Sequence, residues 1–206
     1  MNIKEHIYWL VAKLKGNIVI GIDPGTVNFG IVIARVCPLR ELLRFESILS
    51  ADDILENIYK IIYIDNVNIK EEYGIGSFGV GKFMEKLNWI ETTWLRTGGK
   101  IRVIYEYQMK VNKHTRGSNE YITGYMQRLK KYFTNSIEII EKKATFKKNL
   151  TICGINIKSY YGKYSNHRAV NKKFAADVLL KWPFPLNLSR KKIDDAGDAL
   201  ILVLRG

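Results

Sequence analysis

Two apolar runs, Asn17-Ile18-Val19-Ile20 and Phe29 to Val36, stand on either side of the turn sequence Gly21-Ile22-Asp23-Pro24-Gly25-Thr26. Runs this short, rich in β-branched residues and separated by a Pro-Gly turn, read as two strands joined tightly enough to be antiparallel neighbours. A third β-like segment over 42 to 49 follows the Cys37-Pro38 turn, so the sheet begins as a meander. Asp23 is thereby set at the end of a buried strand, where a carboxylate without a partner is costly.

The remaining elements are read from periodicity. Ile3, Ile7, Leu10, Val11 and Leu14 predict a short amphipathic helix, making residues 1–16 a helical extension ahead of a body spanning 17–206. Residues 51 to 64 look helical or mixed. The stretch 65 to 81, with Asn66, Asn68, Gly74, Gly76, Gly79 and Gly81, reads as a flexible connection, because it lacks the Lys-Ser/Thr ending of a phosphate loop. Phe83, Leu87, Ile90 and Trp94 predict a helix over 82–95, and residues 120–133 a further one. Residues 101–107 alternate as a strand, with Arg102, Ile104 and Glu106 on one face. A short strand is expected at 137–140 and a helix at 169–180, stopped near Pro183 and Pro185. The last helix, 191–204, carries an apolar stripe of Ile193, Ala196, Leu200 and Leu204. Asp195 and Asp198 share another face, and Asp194 is expected as its cap. The pattern predicts a mixed α/β sheet with helices on both sides.

A chain of 206 residues with 47% hydrophobic content can bury one sizeable core. Its formal charge of +13 attracts polyanions, nucleic acid first and an anionic membrane surface second. Apolar runs stop short of the roughly 18 residues that cross a bilayer, and no signal peptide is visible, so a cytoplasmic, non-secreted protein is expected. Cys37 and Cys153 have neither disulfide-framework nor zinc-site spacing, which fits a reducing compartment.

Four acids stand out by position: Asp23, Glu106, Asp195 and Asp198. Taken singly, Asp23 reads as a turn cap, Glu106 as a lysine partner and Asp194-Asp195 as a helix cap. Taken together they form a set of hard oxygen donors suited to Mg²⁺, or Mn²⁺ in its place, with no histidine or cysteine cluster offering a softer site. Two such ions about 3.5 to 4 Å apart can activate water against a phosphodiester and stabilise the leaving oxygen.

The segments Gly21-Ile22-Asp23-Pro24-Gly25-Thr26, Tyr105-Glu106-Tyr107-Gln108 and Asp195-Ala196-Gly197-Asp198-Ala199-Leu200 resemble, in order, the acidic motifs of RuvC-like Holliday junction resolvases, including the poxvirus-type branch. The resemblance implies an RNase H-like fold: a five-stranded mixed sheet, its first three strands antiparallel and its last two parallel to the first, flanked by helices. It implies a homodimeric, Mg²⁺-dependent endonuclease, with two ions per site, that nicks four-way DNA junctions symmetrically in a prokaryotic or virus-infected cell. Ala144-Thr145-Phe146-Lys147-Lys148 resembles the segment carrying the family's phosphate-binding lysine, which assigns Lys147, with Lys148 as the alternative. The N-terminal extension and the 65–81 insert depart from the bacterial pattern.

Between residues 107 and 175 stand fifteen Lys or Arg against Glu120, Glu138 and Glu141. Lys110, Lys113, Arg116, Lys148, Arg168 and Lys172 are the candidates from this set for tracking DNA phosphates. The resemblance also makes Tyr107, Met109 and His114 candidates to stack on bases. Two other functions share these features: a non-catalytic branched-DNA-binding protein on the same core, and a ribonuclease H acting on RNA-DNA hybrids.

Overall fold

The computed structural model describes residues 17–24, 29–36, 59–68, 101–107, 127, 137–143, 145, 148, 150–152, 155–159, 166–182 and 190–205. Five strands, β1 (Asn17–Asp23), β2 (Phe29–Val36), β3 (Tyr59–Val67), β4 (Ile101–Glu106) and β5 (Ile137–Lys142), form one sheet in the order β3-β2-β1-β4-β5. β1–β2 and β2–β3 pair antiparallel, whereas β1–β4 and β4–β5 pair parallel. This is the RNase H-like sheet. A small hairpin follows, β6 (Thr151–Ile152) and β7 (Ile155–Asn156), then a 3-10 turn at Ile157–Ser159 and helices α1 (His167–Lys181) and α2 (Arg190–Arg205).

The third strand is a correction. The strand beside β2 is 59–67, which overlaps the end of the stretch expected to be helical or mixed and the start of that expected to be a flexible connection; the strand expected at 42–49 lies outside the described residues. The register with β2 shifts between Ile33 and Ala34: Ile33 pairs Tyr63 while Ala34 pairs Ile61, so Ile62 is an extra residue. A bulge of this kind resets the inside-outside alternation. Tyr59 and Ile61 before it, and Ile64 and Asn66 after it, all end on the face that α2 covers.

Both faces of the sheet are buried. Ile18, Ile20, Ile22, Ile31, Ile33, Ile101 and Val103 lie on one, and Val19, Val32, Ala34, Val36 and Ile104 join the cluster formed with α1 and α2 on the other. The expected helices at 2–15 and 82–95, and all but Gln127 of that at 120–133, lie outside the described residues.

α1 starts where Asn166 accepts a hydrogen bond from the Ala169 N–H at 2.8 Å, a side-chain cap on an otherwise orphaned donor. Val170, Phe174 and Val178 form its i, i+4 apolar stripe. α2 is not the simple amphipathic helix its stripe predicts, since the consecutive residues Ala199 to Leu204 are all buried. It is wedged between the sheet and α1. Tyr59 Oη donates to the Leu204 carbonyl at 2.8 Å, satisfying one of the last carbonyls of that helix. Asp194 is not a cap, because α2 begins four residues earlier at Arg190. It receives Lys172 Nζ at 2.8 Å and so ties α1 to α2.

Two glycines let α2 settle on the sheet. A Cβ on Gly21 would lie 2.1 Å from the Ala199 carbonyl oxygen, and one on Gly30 would lie 2.4 Å from that of Asp195. Backbone cannot yield to such overlap without shifting the whole helix. Gly21→Ala and Gly30→Ala should each cost at least about 1–3 kcal/mol, measured as a lower urea midpoint. Gly197→Ala, whose added carbon would meet only the Ala175 methyl at 3.2 Å, should cost less. An order with Gly197→Ala as the most damaging would contradict this packing.

Candidate acidic site

Parallel pairing brings two of the acids together. Ile22 of β1 is opposite Tyr105 of β4, so the next residues, Asp23 and Glu106, come at the carboxyl ends of adjacent parallel strands. In α/β sheets that edge is where ligands bind. Helix α2 crosses above, with Asp195 over Gly30 and Ala199 over Gly21, and this carries Asp198 to the same edge.

Asp23, Glu106 and Asp198 line one cavity of about 420 Å³, together with Lys148, His167, Arg168 and Asn171. Its wall is therefore made by β1, β4, the turn after β5, the start of α1, and α2. Three carboxylates share the cavity with a lysine, an arginine and a histidine. Glu106 Oε2 is shut off from solvent. Asn171 is 5% exposed, a buried carboxamide on the same wall.

The turn carrying Lys148 is held from several directions. Lys148 N–H donates to the Thr145 carbonyl at 3.1 Å, and Arg205 Nη1 from the end of α2 donates to the Lys148 carbonyl at 3.0 Å. Leu150, Ile152 and Ile157 then anchor the following hairpin in the core. Of the two lysines from the Ala144–Lys148 motif, Lys148 is the one on the cavity wall; Lys147 lies outside the described residues.

Asp195 stands apart from this wall. Its Oδ2 accepts a hydrogen bond from Asn66 Nδ2 at 3.2 Å, across from β3. Burial pushes its carboxyl above the ordinary range. The Asn66 hydrogen bond opposes that push, the Asp198 charge adds to it, Lys172 opposes and Asp194 adds. Among the described residues, no three acids, histidines or cysteines stand together as a preformed metal cage.

Of the other expected contacts, Arg168 lines the cavity, but Lys172 faces Asp194 in an ion pair. Tyr107 continues the sheet, its N–H donating to the Lys142 carbonyl at 2.8 Å. Gly25, Thr26, Lys110, Lys113, Arg116, Met109 and His114 lie outside the described residues.

Three site residues escape the motif analysis. His167 and Asn171, four apart and thus on one helical face, were signalled by Asn166, whose capping position marks where α1 begins. Asn66 carried no signal, because its partner is 129 residues away.

No family model matches the chain, and no curated protein does. Among solved structures, it is similar to a T. thermophilus RuvC in complex with Holliday junction substrate, with 13% identity, 91% of each chain covered and a TM-score of 0.48. It is also similar to Ydc2, the yeast mitochondrial Holliday junction resolvase, with 13% identity, 100% of this chain and 87% of that one covered, and a TM-score of 0.45. A looser match is an exopolyphosphatase from Cytophaga hutchinsonii, with 11% identity, 60% of this chain and 34% of that one covered, and a TM-score of 0.31. Likenesses this loose say nothing about activity, and the strand order itself defines the fold.

The raised proton affinity of Asp195 has a thermodynamic consequence. An acid that holds its proton more tightly folded than unfolded loses stability as pH rises from the unfolded carboxyl pKa through the folded one. Asp195→Asn removes that loss. In EDTA at neutral pH the variant should melt above the parent; the gain should shrink as pH falls through the raised carboxyl pKa of the folded state and vanish below the unperturbed aspartate pKa of about 3.9. A thermal melt series across pH checks both the sign and the window.

Proposed function

We propose that this chain is a divalent-metal-dependent, structure-selective DNA endonuclease that resolves four-way junctions by paired symmetric nicks. The observation that carries this reading is one cavity lined by Asp23, Glu106 and Asp198, from three separate elements, together with Lys148, His167 and Arg168. Acids gathered at one point in a chain of charge +13 need a reason, and a cation-assisted reaction on a polyanion supplies one. The resemblance of the three acidic motifs to those of RuvC-like resolvases supports the same reading.

The donor set fits the metal. Asp23, Glu106 and Asp198 on the cavity, with Asp195 on the same helix as Asp198, offer hard carboxylate oxygens, and among the described residues no thiolate competes with them. Mg²⁺, or Mn²⁺ in its place and two ions per site, would supply an activated water and charge neutralisation at the leaving 3′ oxygen.

The chain's own cations do the rest. Lys148, held by Arg205 through its backbone, and Arg168, fixed by the first turn of α1, present positive charge to a phosphate before any reaction begins. Charge preorganised in this way stabilises the more negative transition state without reorganising at the moment of reaction. Asn171 helps to shape the wall. Lys172 contributes to the joint between α1 and α2, and its DNA contact is secondary.

The basic stretch from 107 to 175 extends the phosphate-binding surface beyond the cavity. Lys110, Lys113 and Arg116 belong to it in this reading. Lacking a base-reading motif, the surface selects by backbone shape. A homodimer of the 17–206 nuclease domain matches the two-fold symmetry of a junction, with residues 1–16 as an extension to it.

Three substrates in one assay separate the alternatives: a four-way junction, an RNA-DNA hybrid and a linear duplex. With Mg²⁺ or Mn²⁺ the junction should be nicked preferentially, in strands of like polarity. Asp23→Asn and Asp198→Asn should reduce nicking to background while junction binding by gel shift persists. Lys148→Ala should lower the rate by about 10²-fold. Preferential hybrid cleavage would assign a ribonuclease H, and binding with no metal-stimulated cleavage of any substrate would assign a non-catalytic DNA-binding protein.

A further inference from the structure

Asn66 is 2% exposed, and together with Asn171 it makes up the buried polar side chains of the described residues. Asn171 lines the cavity; Asn66 lies two strands away from Asp23. Asp23 is in register with Gly30, and Gly30 with Asn66, so the three form one row across β1, β2 and β3. The middle member has no side chain, and the Asp195 backbone descends onto it. Asn66 therefore reaches Asp195 across a gap that only glycine leaves open.

The backbone that carries the carboxamide is tied to its neighbours. Asn66 backbone N–H donates to Asp65 Oδ1 at 2.8 Å, and Tyr63 Oη donates to the other oxygen of Asp65. Its Nδ2 then donates to Asp195 Oδ2 at 3.2 Å. Other charges act on that carboxylate from α1 and α2: Lys172 attracts it, and Asp194 and Asp198 repel it. Without a fixed donor on the β3 side, the Asp195 side chain follows those charges instead of keeping one orientation.

We propose that Asn66 is a positioning residue for Asp195: its carboxamide fixes the rotamer of that carboxylate and, through it, the strength with which the acidic site holds a divalent cation. The inference rests on the reading of the acids as metal ligands. It adds β3 to the elements that build the site, through a residue that itself touches neither metal nor DNA. Hydrogen-bonding partners behind a ligand commonly change metal affinity by about 10–100-fold.

The test measures Mn²⁺ binding to the full chain without DNA, by titration calorimetry, alongside the Mn²⁺ half-saturation of junction nicking. Asn66→Ala and the milder Asn66→Ser should weaken Mn²⁺ binding by about 10–100-fold and raise the half-saturation, while KM for the junction at saturating Mn²⁺ stays unchanged. In an Asp195→Asn background, Asn66→Ala should add nothing, because a residue acting through its partner has no effect once that partner is altered. Ile61→Val, in the same strand, should lower the melting temperature and leave Mn²⁺ binding at the parent value.

Unchanged or tighter binding in both Asn66 variants would overturn the inference, as would an equal loss in the Asp195→Asn background. Parent-like Mn²⁺ binding by Asp195→Asn alone would overturn the assignment of Asp195 as a ligand, and the role of Asn66 with it. If Asp195→Asn weakens binding and the Asn66 variants do not, the nuclease reading survives and only the positioning role fails.

Discussion

The close seating of α2 on the sheet is the constraint on which the other features depend. Two strand positions, Gly21 and Gly30, lack the side chain that would hold the helix off, and carbonyl oxygens of Ala199 and Asp195 occupy the vacated space. A helix lowered in this way is surrounded, which is why Ala199 to Leu204 are buried around the whole circumference. Its axial position is then set at both ends. Tyr59 holds the Leu204 carbonyl, and Lys172 holds Asp194. With depth and position determined, Asp198 can arrive only at the edge where β1 and β4 end in Asp23 and Glu106.

That arrangement sets stability against site chemistry. A half-buried Asp195 near the charges of Asp198 and Asp194 is harder to ionise, and among the described residues the Asn66 hydrogen bond and Lys172 work the other way. The protein surrounds its acids with compensating groups instead of separating them. Lys148 and Arg168 line the cavity with Asp23, Glu106 and Asp198, each on a segment secured by its own local device: an Arg205 hydrogen bond for one and the Asn166 cap for the other. Surface pairs such as Arg102 with Glu138 contribute little by comparison.

Much of the sheet was legible from local pattern. β1, β2, β4 and β5 are apolar runs bounded by turn or polar residues, and α1 ends just before Pro183. β3 was not legible, because the extra residue Ile62 breaks the alternation that marks a strand, and the bulge that absorbs it exists only once β2 is alongside. Asp194 looked like a cap because acids favour helix starts, yet α2 extends a full turn further back. Spacing within α2 also indicated a stripe where the structure has burial on every side, since periodicity reports one partner surface and this helix has two.

The sequence by itself determined the local elements and the chemical nature of the site. Strand ends carry Asp23 and Glu106, one helix carries Asp195 and Asp198, and the net charge is strongly positive. Tertiary structure alone decided which of these meet. It set Asp198, Lys148, Arg168 and His167 on one cavity with the strand acids, turned Lys172 to Asp194, and gave Asp195 to Asn66. The reason is range. Periodicity and capping act within a few residues, whereas the Asn66–Asp195 contact joins positions 129 apart, on a strand and a helix, and depends on a missing Cβ at Gly30 of the neighbouring strand.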